Sequence, residues 1–173
     1  MDKIKILCLV VLGFCLGFFS GKAHGFDENG EAFCLAKNIY FEAGNQPLAG
    51  KLAVAHVVRN RVEDSQFPNT YCGVIYDVKE WRTSWRGTKV PVIGMCQFSW
   101  YCDGKSDRIH DLTTFDRIWQ LTTGVVDGSY TIADITEGAT HYHADYVEPA
   151  WAKTKTKTIE IEDHIFYRWE VQE

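Results

Sequence analysis

Apolar residues recur at helical spacing in three stretches of the chain. From Glu31 to Ala43, the positions Ala32, Leu35, Ile39 and Ala43 return every three or four residues, and Phe33 and Ala36 widen the stripe. Gly44 stands where a helix-ending glycine belongs, and Pro47 follows it. Leu48 to Val62 predicts a second helix, with Leu48, Leu52, Val54, Ala55, Val57, Val58 and Val62 on its apolar face. Arg59, Asn60 and Arg61 end it with charge suited to the negative end of the helix dipole. Thr113 to Val126 predicts a third helix, with Phe115, Ile118, Trp119 and Leu121 facing the core and Asp127–Gly128 closing it.

Between and after these helices the pattern changes. Phe67–Pro68–Asn69–Thr70 is a turn signal. Val74 to Val78 reads as a strand or a single helical turn, and the aperiodic Glu80 to Gly94 as loop or short strands. Gln97 to Tyr101 predicts a short strand ending at the Asp103–Gly104 turn. Ala139 to His143 and Thr158 to Trp169 predict further strands. In the latter, Ile159, Ile161, Ile165 and Tyr167 alternate with Glu160, Glu162, Phe166 and Arg168, broken near Asp163–His164. Helices first and a small sheet later make an α+β domain, and 173 residues suit one such domain.

The N-terminus falls outside this pattern. Lys3 and Lys5 precede an apolar run of 14 residues, Ile6 to Phe19, and the small polar Ser20 to Gly25 follow. Charged, apolar and small regions in that order read as a secretory signal over residues 1–25, with cleavage after Ala23 or Gly25. The alternative is a retained or releasable signal-anchor, although the run falls short of the roughly 20 residues that span a bilayer. The expected location is therefore outside the cytoplasm, in a periplasm, cell envelope or medium. Cys34, Cys72, Cys96 and Cys102 remain beyond the signal, an even number suited to two disulfides in an oxidising compartment. Spacing leaves all three pairings open.

Composition narrows the partners. Aromatic residues make up 14% of the chain, which argues against disorder, and a formal charge of −5 argues against a general nucleic-acid binder. Glu42 is the first candidate for chemistry. It ends a helix inside Tyr40–Phe41–Glu42–Ala43, where ring neighbours and the negative helix terminus both favour its acid form. A raised pKa suits a general acid; the plain alternative is a surface carboxylate. The segment Cys96–Gln97–Phe98–Ser99–Trp100–Tyr101–Cys102 sets amide and hydroxyl groups among rings, as sugar binding requires, or is a disulfide-braced core strand. His141 and His143 share one strand face, but no HExxH accompanies them and Cys96–Cys102 spacing is poor for zinc, so no metal or other cofactor is expected. The absence of GxSxG weighs against a serine triad. Trp81, Arg82, Trp85, Arg86 and Lys89 could face an anionic polymer but read more simply as a solvated loop.

Several of these blocks together resemble the SleB/CwlJ-type cell wall hydrolases. The resemblance rests on Cys34 to Ala43, Leu52 to Val62, Phe67 to Tyr76, Cys96 to Gly104, Ala139 to Ala144, Pro149 with Trp151, and Ile159 to Arg168. It covers roughly residues 32 to 169. It implies a lysozyme-like fold related to lytic transglycosylases, occupying residues 26–173 as a catalytic domain. It further implies cleavage of the β-1,4 bond between N-acetylmuramic acid and N-acetylglucosamine in peptidoglycan strands. Its catalytic glutamate falls on Glu42. Gln97, Phe98, Ser99, Trp100, Tyr142 and His141 are carried over as substrate-binding positions. Wall remodelling, spore germination and phage lysis all use this chemistry. A monomer is expected, touching membrane only through its N-terminus. Gly44 stands where many relatives carry a basic residue. No second carboxylate is marked by a motif among Glu63, Asp64, Asp103, Asp107 and Glu137, which favours a one-carboxylate transglycosylase over a hydrolase.

Overall fold

The computed structural model describes residues 26–169, so the expected signal lies outside the described residues. Four helices precede the C-terminal sheet: α1 (Glu31–Ala43), α2 (Leu48–Glu63), α3 (Tyr71–Ile75) and α4 (Leu112–Val126). A hairpin of β1 (Trp81–Thr83) and β2 (Lys89–Pro91) sits between α3 and α4, and an antiparallel sheet of β3 (His141–Ala144), β4 (Thr156–Ile161) and β5 (His164–Arg168) follows, in the order β3-β5-β4. The expected α+β order therefore holds. Among the described residues no helix is long and apolar enough to cross a membrane.

α1 packs against α4, α2 and α3 around a core that includes Leu35, Ile39, Val54, Val58, Val74, Ile75, Phe115 and Ile118. A second cluster, Ala53, Val57, Ala139 and Phe166, joins the other side of α2 to the sheet. Being covered on both sides explains why α2 lacks a single apolar stripe. Leu48, expected in the core, is exposed, while Ala53 and Arg61 are buried. Asp111 caps α4 by accepting the Thr114 backbone N–H at 3.0 Å, and Thr70 caps α3 through Gly73.

Two disulfides are present. Cys34–Cys72 joins α1 to α3 across 38 positions, and Cys96–Cys102 closes a loop across six. The carboxylate of Glu31 braces the first joint by accepting the Cys72 backbone N–H at 3.2 Å.

The structure corrects several expectations. Ser99–Cys102 is a 3₁₀ turn rather than part of a strand: the short Cys96–Cys102 bridge folds the segment back on itself. Of Val74–Val78, read as a strand or a single helical turn, Val74 and Ile75 end the helical turn of α3 and Val78 forms an isolated antiparallel bridge with Cys96. Phe166, placed with the polar face by alternation, is fully buried, because β5 is the central strand and packs on α2. Gly44 is not a left-handed cap. Its φ is −59°, and its lack of a side chain matters for another reason: a Cβ there would lie 2.4 Å from the Tyr40 carbonyl oxygen. Glycine thus permits the tight turn that follows Glu42.

Candidate active site

The end of α1, the loop at Gln97–Asp107 and strand β3 enclose a cleft of about 620 Å³. Glu42, Gln97, Phe98, Ser99, Trp100 and Tyr142 all line it, so the cleft gathers six of the seven positions singled out from the sequence. His141 does not line it. It lines an adjacent cavity with Trp151 and Trp169.

Glu42 is delivered by helix geometry. Leu35 and Ile39 bury one face of α1 and leave the last turn pointing into the cleft. The Tyr142 phenol, on β3, donates a 2.8 Å hydrogen bond to Glu42 Oε2. Burial pushes the Glu42 carboxyl above the usual carboxylate range, against the Tyr142 hydrogen bond and the nearby Arg61 charge, which both favour ionisation. Burial and the Glu42 charge in turn push the Tyr142 phenol well up, so it stays a donor. Tyr142 occupies Oε2, and the carboxyl with its raised pKa lines the cleft. Such a carboxyl can act as an acid near neutral pH and as a base after giving up its proton.

Arg61 is the residue that sequence reasoning misplaced. It is 6% exposed rather than solvated at a helix end. Its guanidinium lies between the rings of Phe67 and Phe98, 5.3 and 5.2 Å from their centroids. Its Nε donates to the Thr140 carbonyl at 2.7 Å, and neighbouring Asn60 donates to the Ala139 carbonyl at 2.9 Å. The end of α2 therefore clamps the start of β3, which fixes Tyr142 two residues further on. A run of Arg-Asn-Arg carries no local sign of this role; only the three-dimensional pairing with β3 reveals it.

His164 also lines the cleft. Its ring meets Tyr142 edge-on at 4.9 Å, and its Nδ1 lies 3.2 Å from the Gln46 side-chain nitrogen. It packs against the Tyr142 ring that holds the glutamate. His143 has both ring nitrogens engaged, with the Ala144 carbonyl at 2.9 Å and the Tyr167 hydroxyl at 3.0 Å. Neither nitrogen is spare for a metal, and among the described residues no group of three or more His, Cys, Asp or Glu side chains could hold one.

Phe98 and Trp100 form walls rather than open platforms. Both are largely buried; Trp100 stacks on Phe41 at 4.8 Å and donates its indole N–H to Asn38 at 2.9 Å. Gln97 donates to Asp77 at 3.2 Å, and Ser99 is exposed. Of the five carboxylates without a motif, Asp103 and Asp107 line the cleft together with Glu42. Burial raises the Asp107 carboxyl's pKa, with Asp103 adding to the rise and Lys37 opposing it. Glu63 and Asp64 line a different hollow.

Comparison with known proteins follows the same outline. A family model described as Cell Wall Hydrolase matches residues 45–167. A spore cortex-lytic enzyme of Bacillus cereus is 39% identical over 54 residues, 31% of this chain and 20% of that protein. A spore cortex-lytic enzyme of Bacillus subtilis is 40% identical over 53 residues, 31% of this chain and 17% of that protein. The matched segment is thus at most a fifth of these relatives' length. The catalytic domain of the Bacillus cereus SleB protein superposes with a TM-score of 0.55 at 25% identity, covering 84% of this chain and 94% of that one. The catalytic domain of the germination-specific lytic transglycosylase SleB from Bacillus anthracis gives a TM-score of 0.51 at 25% identity, over 84% and 98%. The family match begins three residues after Glu42, so it bears on the scaffold around that carboxyl more than on the carboxyl itself.

Proposed function

From a chain that belongs to the cell wall hydrolase family, we propose a peptidoglycan-degrading enzyme that cleaves the β-1,4 bond between N-acetylmuramic acid and N-acetylglucosamine, with Glu42 as general acid and base. The observation that carries this reading is the Glu42 carboxyl, its pKa raised by burial, held at Oε2 by Tyr142, and lining a cleft of sugar-binding size.

Protonated Glu42 donates to the glycosidic oxygen as the bond to the muramoyl C1 breaks. Positive charge develops on that sugar, and its own acetamido group helps to carry it. The muramoyl C6 hydroxyl then attacks C1 while ionised Glu42 accepts the hydroxyl proton. The product is a 1,6-anhydro end, and the enzyme returns to its protonated state. Tyr142 orients the carboxyl through both steps, and its hydrogen bond is worth more when Glu42 is charged. Gln97 and Ser99 supply polar contacts along the strand.

Asp103 and Asp107 favour a second reading, a muramidase-type hydrolase. A carboxylate across the cleft can activate water or shield the cation, with the product then set by water rather than by C6. A non-catalytic wall-binding protein would use Trp81, Trp85 and Trp100 as a stacking platform; Trp81 and Trp85 are exposed, but the burial of Trp100 removes it from such a surface.

Digestion of purified peptidoglycan by the full-length chain, followed by mass spectrometry of the fragments, tests the readings. Fragments with 1,6-anhydro ends support the transglycosylase. Reducing muramoyl ends, lost in Asp103→Asn or Asp107→Asn, would move the assignment to the hydrolase. Intact glycan from a folded, disulfide-bonded sample would refute both.

A further inference from the structure

Arg61, Gln97 and Tyr142 line the Glu42 cleft and also a second cavity of about 450 Å³, so the two share a wall. Their chemistry differs. The cleft carries the carboxylates Glu42, Asp103 and Asp107 together with Lys105 and the shared Arg61. The second cavity carries Arg61, Lys79 and Lys155, and among the described residues no Asp or Glu lines it. In a chain of formal charge −5, three cations around one hollow reverse the local sign.

The hollow is also built rather than open surface. Phe67, His141, Trp151 and Trp169 wall it with rings, and the Lys155 ammonium lies 3.3 Å from the Trp169 ring centroid. The three cations converge on His141: burial first, then Arg61, Lys155 and Lys79, push its pKa down to about 3. Arg61 stands in the shared wall, and its Nη1 is buried with no hydrogen-bond partner. A buried guanidinium nitrogen left without an acceptor is costly, and a ligand oxygen would satisfy it.

We propose that this cavity binds the free carboxylates of the peptide stem attached to the muramoyl sugar while the glycan strand lies in the neighbouring cleft. The inference rests on the glycan reading above and adds a second point of recognition to it. The stem leaves the sugar whose bond is broken, so it begins beside Tyr142 and Gln97, the shared wall. Its carboxylates match Arg61, Lys79 and Lys155, and its apolar carbons match the rings.

Two measurements test this. Isothermal titration of the full-length chain with the synthetic stem peptide L-alanyl-γ-D-glutamyl-diaminopimelate is compared with the same peptide amidated at its carboxyls. The acid peptide binds, the amidated one binds about tenfold more weakly, and K79Q/K155Q abolishes the difference, as expected for partly desolvated charge pairs. Equal binding of both peptides, or unchanged binding by the double variant, would overturn the proposal. Inorganic phosphate that displaces the peptide as well as free peptide does would assign the hollow to a phosphate-bearing polymer and overturn the stem. This readout needs no cleavage, so it stands even where the glycosidase reading fails. The second measurement compares kcat/KM on peptidoglycan with stems and on strands stripped of stems by an amidase. The ratio of the two falls about tenfold in K79Q/K155Q through KM. An unchanged ratio, with both substrates affected alike or not at all, contradicts a stem site.

Discussion

At the scale of single residues, the site is a balance of opposed influences on one carboxyl. Burial raises the Glu42 pKa, while Tyr142 and Arg61 lower it, and burial prevails. Removing one lowering influence should therefore raise the pKa further. Tyr142→Phe is expected to move the alkaline limb of the pH–rate profile to higher pH, because that limb reports loss of the acid's proton, and to lower kcat at the optimum. A profile that does not move would exclude the hydrogen bond from catalysis. The same balance has a cost in stability. The fold holds the Glu42 proton to higher pH than the unfolded chain does, so stability falls as pH rises from the ordinary value of 4.5 towards the raised one. Glu42→Gln should then raise Tm at neutral pH and leave it nearly unchanged below pH 4.5, each kcal/mol recovered adding about 2–4 °C. A lower Tm at neutral pH would mean that Glu42 is held as a carboxylate. Glu42 was singled out in the sequence chiefly by the resemblance to SleB/CwlJ-type hydrolases, its adjacent ring neighbours Tyr40 and Phe41 being equally compatible with a surface carboxylate. Arg61 was not, since its partners, Thr140, Phe67 and Phe98, are distant in sequence.

At the scale of elements, the helices were legible and the connections were not. α1 and α4 show a local period and a clear stop, and the structure keeps α1 at Glu31–Ala43 and begins α4 one residue early. The 3₁₀ turn at Ser99–Cys102 escaped because its aromatic run has strand propensity, and a cystine bridge decides otherwise. The pairing itself was open until α1 and α3 came together. Loop length ranks the two bridges. In the chain-entropy picture, losing Cys34–Cys72 with its separation of 38 should cost about 4 kcal/mol, and losing Cys96–Cys102 about 2 kcal/mol. Urea denaturation of the two Cys→Ser pairs checks the order, and a reversed order would contradict it. Gly44→Ala addresses the turn after Glu42. The added Cβ meets backbone at 2.4 Å, so the last turn of α1 must shift, with an expected loss of about 1–3 kcal/mol. Activity should fall more than stability predicts, because Glu42 lies two residues before. Unchanged activity at full occupancy of the fold would show that the turn does not set the carboxyl's position.

At the scale of the whole molecule, helices form one wall of the cleft and the C-terminal sheet carries the opposite one. α2 joins them: its Ala53 and Val57 pack on the sheet, its Val54 and Val58 pack on α1, and its last turn holds β3 by the carbonyls of Ala139 and Thr140. Across that joint the Glu42 carboxyl on α1 and the Tyr142 phenol on β3 come within hydrogen-bond distance. The polar arrangement differs between the two cavities: the cleft mixes three carboxylates with Lys105 and Arg61, while the adjoining hollow is lined by Arg61, Lys79 and Lys155 with no acidic side chain among the described residues. The central claim is that Glu42 moves the proton in cleavage of the glycan. It is tested most directly by the release of soluble fragments from purified peptidoglycan by the full-length chain and by its Glu42→Gln variant, at equal concentration and with both shown folded by their thermal transitions. The account predicts release by the parent chain and a loss of at least about a hundredfold in the variant, the scale of a general acid–base contribution. Comparable release by a folded Glu42→Gln protein would contradict it.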